Sequence, residues 1–209
     1  MDNLDNKKVM AVLFLDLKKA FDTVDHDILL QKLHHYGVRG KPFNLMKSYL
    51  TGRSQHTKMN NFFSDLADVL YGVPQGSVLG PLLFLIFIND LPGVSCLNSW
   101  LFADDTALAL SADNFQELET KFNHEVNKVH DWLLANRLSV HYSDKTKFML
   151  VKGQNWERGT SENFKLYMGE NEIERTDNYK YLGVVVDDKF NWKLHINHLC
   201  KKNYQVCVV

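Results

Sequence analysis

Cysteine is scarce in this 209-residue chain: Cys96, Cys200 and Cys207 are the only three. They are too few and too scattered for a disulfide framework or a zinc knot, so they read as free thiols of a reducing compartment, nucleus or cytoplasm. An excess of positive charge is missing too. Lys and Arg number 24 against 25 Asp and Glu, a formal net charge of -1. A dedicated nucleic-acid binder is usually basic, so composition lends that class no support. Long apolar runs are absent. The most apolar stretch, Val78–Ile88, has 11 residues and is interrupted by Gly80 and Pro81. It is too short to span a bilayer and predicts a buried helix, with no membrane partner. Met1–Lys8 is polar and lacks the hydrophobic centre of a signal peptide. Internal repeats and low-complexity tracts are not seen. What remains is 45% apolar and 23% charged, an ordinary globular composition for one domain with a real core, with or without a small appendage.

The near-neutral average hides an asymmetry. Residues 1–60 hold ten Lys/Arg against six Asp, a local net of +4. Residues 87–130 hold two Lys against seven Asp/Glu, a local net of -5. Such segregation fits a cation site and a phosphate-facing surface, and fits two ordinary solvated surfaces equally well.

Val9–Leu15 has the length and composition of a strand and ends at Asp16. Asp27–Tyr36 has helical spacing, with Ile28, Leu29, Leu33 and Tyr36 as the buried side and Gly37 closing it. Pro42 fits the first turn of a second helix running toward Gly52. Gln55–Asn60 and Asp65–Leu70 predict two strands around a polar turn. Gly72, Pro74, Gln75 and Gly76 form a loop before a helix from Val78 to Asp90, stopped by Pro92 and Gly93. Trp100–Ala103 and Thr106–Leu110 predict a hairpin with Asp104 and Asp105 at its turn. A long helix is expected from Asn114 to Asn136, with a core stripe of Phe115, Leu118, Phe122, Val126, Val129, Trp132 and Leu133. Lys147–Val151, Phe164–Met168, Asn171–Glu174 and Tyr181–Val186 predict strands. Gly153–Gly159 predicts a loop, and Trp192–Leu199 begins a helix.

Three acids stand out. If the first strand lies beside the hairpin, Asp16, Asp104 and Asp105 converge. Packed carboxylates raise one another's pKa unless cations neutralise them. Oxygen ligands without a nearby thiolate suit Mg²⁺ or Mn²⁺, and a pair of such ions serves phosphoryl or nucleotidyl transfer. Taken alone, an Asp-Asp turn is more often just a turn.

The strings around these acids are more specific. Phe14-Leu15-Asp16-Leu17-Lys18-Lys19-Ala20-Phe21-Asp22 resembles the first palm motif of reverse transcriptases of non-LTR retrotransposons. Tyr71-Gly72-Val73-Pro74-Gln75-Gly76-Ser77 with Val78-Leu79-Gly80-Pro81 resembles the second. Phe102-Ala103-Asp104-Asp105 resembles the third, and the order and spacing agree. The wording is most similar to jockey-like or related LINE-type elements. Downstream, Trp132 through Asn136-Arg137-Leu138-Ser139 and then Lys145-Thr146-Lys147 is similar to the fourth palm region. Tyr179-Lys180-Tyr181-Leu182-Gly183-Val184 is similar to the Leu-Gly turn before the thumb.

The resemblance implies an α+β fold: a polymerase palm with an antiparallel sheet packed against helices, fingers and thumb largely missing. Residues 1–186 would be palm with partial fingers elements, and 187–209 the truncated start of the thumb connection. The implied activity is RNA-directed DNA polymerase, transferring dNTPs to a DNA primer on an RNA template with two Mg²⁺ or Mn²⁺ ions. Asp16 and Asp104 would be the principal metal ligands and Asp105 a supporting one. The backbone from Asp16 through Leu17 to Phe21 would lie near the triphosphate, with Phe21 against the sugar or else a core residue. Gln75 and Gly76 would contact template and incoming base. Gly72, Pro74, Phe102, Leu182 and Gly183 would contact primer or template. Lys145 would sit near the leaving pyrophosphate, although the spacing leaves Lys147 open as the alternative. With only Met1–Lys8 ahead of the first palm strand, the expectation is intact carboxylates with poor autonomous activity. The competing class is an inactive retroelement remnant that binds RNA or a protein weakly.

Overall fold

The run Val-Met-Ala-Val-Leu-Phe-Leu at Val9–Leu15 carries no polar side chain, and six of its seven residues are buried. A strand apolar on both faces belongs in the middle of a sheet. The computed structural model, which describes residues 8–143, 145–152 and 163–206, places it there. The expectations for Met1–Lys7, the 153–159 loop and Cys207 lie outside the described residues.

The chain runs β1 (Val9–Leu15), α1 (His26–His35), α2 (Gly40–Leu50), then β2 (Ser54–Gln55), β3 (Lys58–Met59), β4 (Phe62–Phe63), β5 (Ala67–Asp68) and α3 (Leu79–Ile88). Next come β6 (Asn98–Phe102), β7 (Asp105–Ala112), α4 (Phe115–Ala135), β8 (Lys147–Lys152), β9 (Leu166–Met168) and β10 (Asn171–Arg175). A hairpin of β11 (Asn178–Tyr181) and β12 (Val184–Asp187) leads to α5 (Lys193–Val206). No helix among the described residues is long and apolar enough to cross a membrane. The expected α+β architecture, with an antiparallel-rich sheet and helices, is the one found.

The chain divides into two compact units, and it passes between them more than once. The first comprises Met1–Asp16, Pro92–Asp131 and Val140–Val209. Its six-stranded sheet has the order β6-β7-β1-β8-β10-β9. β1 is antiparallel to both neighbours, β7 and β8. One sheet face collects Val12, Phe14, Ala107, Ala109, Met149 and Val151, and Tyr179, Tyr181 and Val186 of the β11–β12 hairpin pack on it. The expected single strand Tyr181–Val186 is therefore two strands. Leu182 and Gly183 both take positive φ, 49° and 82°, and the register pairs Tyr181 with Val184 across them.

In α4 the buried side chains Phe115, Leu118, Phe122, Val126, Val129 and Leu133 follow the expected stripe, while Trp132, expected with them, is only partly buried. Asn114 Oδ1 accepts from Glu117 N at 2.9 Å and caps the helix. Asn123 and Asn127 accept from the backbone N–H groups of Tyr167 and Gly169, fastening α4 along β9. Glu125 is only 6% exposed. Its carboxylate accepts from Lys128 Nζ at 2.6 Å and Cys96 N at 2.8 Å. The lysine first, and the Cys96 amide next, hold its pKa down at about 2. A depressed folded-state pKa stabilises above the ordinary value of 4.5, and the stabilisation is lost as pH falls toward about 2. Urea midpoints should therefore fall more steeply between those limits for the parent than for Glu125→Gln. The difference should be on the order of 2 kcal/mol.

The second unit comprises Leu17–Leu91 and Trp132–Ser139. Asp25, 3% exposed, caps α1 by accepting from Asp27 N and Ile28 N at 3.0 Å each. Its other oxygen accepts from Arg137 at 2.6 Å. Asp25→Ala would orphan both amides and the guanidinium, so it should lower stability by about 2 kcal/mol, read as a shifted urea midpoint at unchanged slope. Lys32 donates to Phe87 O and Asp90, each at 2.6 Å, and its Nζ lies over the rings of Phe87 and Trp132. Tyr36, expected on the buried side, is the C-cap one residue past the end of α1 and is 46% exposed, whereas Leu30 is buried with Leu29 and Leu33.

Two further expectations change. The strands around 55–70 form a ribbon, β2 pairing β5 and β3 pairing β4, with the turn at Asn60-Asn61. Phe62 and Phe63 stand in its strands, 78% and 59% exposed. The apolar α3 is buried on one side only: Leu83, Phe84, Phe87 and Ile88 are enclosed, while Leu82 and Leu85 are about half exposed and Val78 is 94% exposed.

Candidate active site

Alternation along β1 puts Val12 and Phe14 on the tyrosine-covered sheet face, and one more step of two reaches Asp16. On β7 the same face carries Ala109 and Ala107, and the next step of two is Asp105. The register pairs Phe14 with Ala107 and Leu15 with Thr106. Continued by one residue, it sets Asp16 level with Asp105. β6 and β7 close at the pair Phe102–Asp105, leaving Ala103-Asp104 as a two-residue turn with Ala103 at φ 54°. Only Asp104 is thus at the turn, whereas both aspartates were expected there. Asp105 begins the strand because its backbone already pairs with Phe102.

Asp105 feels the charge of the other two acids. Partial desolvation first, then the negative charges of Asp104 and Asp16, push the Asp105 carboxyl above the ordinary carboxylate range, while Lys145 draws it back. Lys145 Nζ lies 3.4 Å from Asp16 Oδ2. Lys147 instead pairs with Glu174 at 3.0 Å. Between the two lysines that spacing left open, Lys145 is the one beside Asp16. The backbone of Asp16 is held as well: its N–H donates to Thr146 Oγ1 at 3.1 Å, and its carbonyl accepts from His141 N at 2.9 Å.

Tyr179 and Tyr181 were not singled out from the sequence, yet both belong here. The Tyr179 ring stacks on Phe14 with centroids 4.2 Å apart and planes 7° from parallel, and its hydroxyl donates to Lys145 O at 2.7 Å. The Tyr181 hydroxyl donates to Trp100 O at 3.3 Å. Burial first, then nearby carboxylates, pushes both phenols up, so they remain donors. The available signal was their spacing of two ahead of Leu182-Gly183, which puts both rings on one face. Leu182 is exposed at the hairpin tip, and Phe102 is 65% exposed at the end of β6.

No three His, Cys, Asp or Glu side chains among the described residues enclose a ready metal site. An all-protein cage is not what Mg²⁺ chemistry on phosphates requires. Such ions are held by one or two carboxylates, the remaining positions going to substrate phosphates and water. Asp16, Asp104 and Asp105 offer oxygen donors and concentrated negative charge, which fits that coordination.

The other expected residues lie in the second unit. Leu17 is buried, so only its backbone is available to a ligand. Phe21 leans on Phe84 of α3, ring centroids 4.5 Å apart. Gln75 Nε2 donates to Asp22 Oδ1 at 2.6 Å. Gly72, Pro74 and Gln75 border a cleft of about 690 Å³ that Lys19, Arg53 and Tyr71 also line. Gly76, at φ 75°, has open space where a side chain would begin. The two cationic residues of this cleft were missed because Arg53 comes from the ribbon, far along the chain from Lys19.

Known proteins carry the same pattern. Residues 2–186 match the family model described as reverse transcriptase (RNA-dependent DNA polymerase). The chain is 26% identical, over 95% of its length, to the RNA-directed DNA polymerase from mobile element jockey of Drosophila melanogaster, and covers 22% of that protein. It is 30% identical, over 93% of its length, to the probable RNA-directed DNA polymerase from transposon X-element of the same species, covering 21% of it. The chain thus spans about a fifth of the length of these curated relatives. Its fold is shared with telomerase from Candida tropicalis: an apo form truncated from the C-terminal domain superposes at a TM-score of 0.55 and 14% identity, over 86% of this chain and 34% of that one. A second telomerase structure, in complex with a fragment of telomeric RNA, superposes at 0.56 and 12% identity, over 88% and 30%. Motifs, sheet register and sequence similarity agree, and the chain belongs to the reverse transcriptase (RNA-dependent DNA polymerase) family.

Proposed function

We propose that this chain carries the palm carboxylates of an RNA-directed DNA polymerase, which joins dNTPs to a DNA primer on an RNA template. The reading is supported by the β1–β7 register, which ends at Leu15–Thr106 and brings the following Asp16 toward Asp105 beside the Asp104 turn, and by the charges of Asp104 and Asp16 felt at Asp105. Asp16 and Asp104 would hold two Mg²⁺ or Mn²⁺ ions, with Asp105 supporting them. When bound, such ions neutralise developing charge on the attacking and leaving oxygens.

The chain's own residues would do the rest. Lys145 would give charge or a proton to the departing pyrophosphate, a role supported by its position 3.4 Å from Asp16. In the second unit, Lys19 and Arg53 supply positive charge to a cleft of nucleotide size, and Gln75 offers an amide for base or template contact. Phe21, braced by Phe84, would meet the sugar and leave no room for a 2′-hydroxyl. Phe102 and the Leu182-Gly183 tip present apolar surface for primer contact.

The test is extension of a DNA primer on an RNA template by the full chain at high concentration. Weak extension that requires Mg²⁺ or Mn²⁺ is expected. No extension under either cation would reject autonomous catalysis and favour a remnant that binds RNA or protein without turnover.

A further inference from the structure

Asp16 carries a built-in counter-charge. Lys145 is 56% exposed at its side chain, yet its Nζ stands 3.4 Å from Asp16 Oδ2. An exposed lysine has four rotatable bonds and gains little from a lone surface ion pair, so something must restrain it. The restraint visible at Lys145 is on its backbone. Its carbonyl accepts the 2.7 Å hydrogen bond from Tyr179, and the next residue, Thr146, accepts from Asp16 N. Tyr179 is itself fixed by its parallel stack on Phe14, two residues before Asp16. Phe14, Tyr179, Lys145 and Asp16 thus form a closed circuit across β1, β11 and the segment entering β8.

We propose that Tyr179 is a positioning residue that holds Lys145 against Asp16, so that the β11–β12 hairpin sets the affinity of the aspartate site for divalent cations. This rests on the cation-site reading above and adds a control on it. A cation approaching Asp16 must displace the ammonium or share the carboxylate with it. A lysine held there weakens cation binding, and a released one restores it. The hairpin that ends in Leu182-Gly183 therefore reaches the carboxylates through one phenol hydroxyl.

The experiment is titration of the full chain with Mn²⁺, read by the loss of the free-ion paramagnetic resonance signal. It compares the parent, Tyr179→Phe, Lys145→Ala, their double variant, Tyr181→Phe and Asp104→Asn. Phe at 179 keeps the ring stack and removes only the hydroxyl. Lys145→Ala should tighten Mn²⁺ binding about tenfold, from loss of a charge close to a ligand. Tyr179→Phe should tighten it about threefold, and the double variant should match Lys145→Ala alone, the non-additivity expected of residues acting in series. Tyr181→Phe, whose lost hydroxyl goes to Trp100 O and leaves the Lys145 carbonyl bond intact, should tighten binding less than Tyr179→Phe does. General loosening of the hairpin would move both tyrosine variants alike, which would overturn the proposal. So would an unchanged Tyr179→Phe, or effects of Tyr179→Phe and Lys145→Ala that multiply. Absent Mn²⁺ binding in the parent, or binding indifferent to Asp104→Asn, would instead overturn the cation site itself and the Tyr179 role with it.

Discussion

Replacing Gly72 by Ala should destabilise the second unit by about 3 to 5 kcal/mol, combining backbone strain with overpacking. Gly72 has φ 88°, and a Cβ there would lie 2.8 Å from Asp22 O and 2.9 Å from Asp22 Cα. Those atoms are backbone and cannot swing away. They are also fixed from the other side: Gly72 N donates to Val24 O at 2.8 Å and Val73 N donates to Phe21 O at 2.8 Å. The Gly72 carbonyl faces the buried His26 Nε2 at 2.7 Å, so the loop cannot shift without orphaning a ring nitrogen. Gly76→Ala is the control. Its φ is 75° but no atom lies within 4 Å of the added carbon, so it should cost about 1 kcal/mol, the strain of the left-handed conformation alone. Urea unfolding followed at α1 and α3 amides by hydrogen exchange would separate the two. Equal midpoints for both variants would contradict the close approach of this loop to the first-motif segment.

Asp104→Asn should lower cation-dependent primer extension by roughly 10²- to 10³-fold, the scale of removing one charged group that stabilises transition-state charge. The amide keeps the size of the side chain and can still sit in the Ala103-Asp104 turn, so folding should be unaffected. Removing this charge also relieves Asp105, whose carboxyl Asp104 helps to push up. Stability should stay level while activity falls. Steady-state extension with Mg²⁺ and with Mn²⁺, alongside a urea midpoint, checks both halves. Parallel losses of activity and stability would place Asp104 among the structural residues of the hairpin instead.

The elements legible in the sequence were those whose pattern is local. Val9–Leu15 is a strand because an unbroken apolar run ends in an acid, and its bounds match those observed. The α4 stripe could be read because its apolar residues recur at three and four. Features set by distant pairing could not be read in this way. The register of β1 against β7 joins residues about a hundred positions apart, and without it Asp105 passes for a turn residue. Apolar patterning runs Val184-Val185-Val186 on from Tyr181 as one strand; the resemblance marks a turn at Leu182-Gly183, and the cross-strand pairs show the reversal there. Periodicity does not choose between Lys145 and Lys147, since both flank the start of β8. Their side-chain partners differ, Asp16 for Lys145 and Glu174 for Lys147. The capture of Glu125 by Cys96 N is likewise invisible in a helix that reads as ordinarily amphipathic.

The account stands on the claim that Asp16 and Asp104 hold divalent cations with Asp105 beside them. Crystals of the full chain soaked in Mn²⁺, measured at the manganese absorption edge, test that claim most directly. Anomalous peaks within coordination distance of the Asp16 and Asp104 carboxylates, lost in Asp104→Asn crystals, are the predicted result. Manganese bound only at other acidic residues, or carboxylates that stay paired to Lys145 with no peak at saturating Mn²⁺, would contradict it.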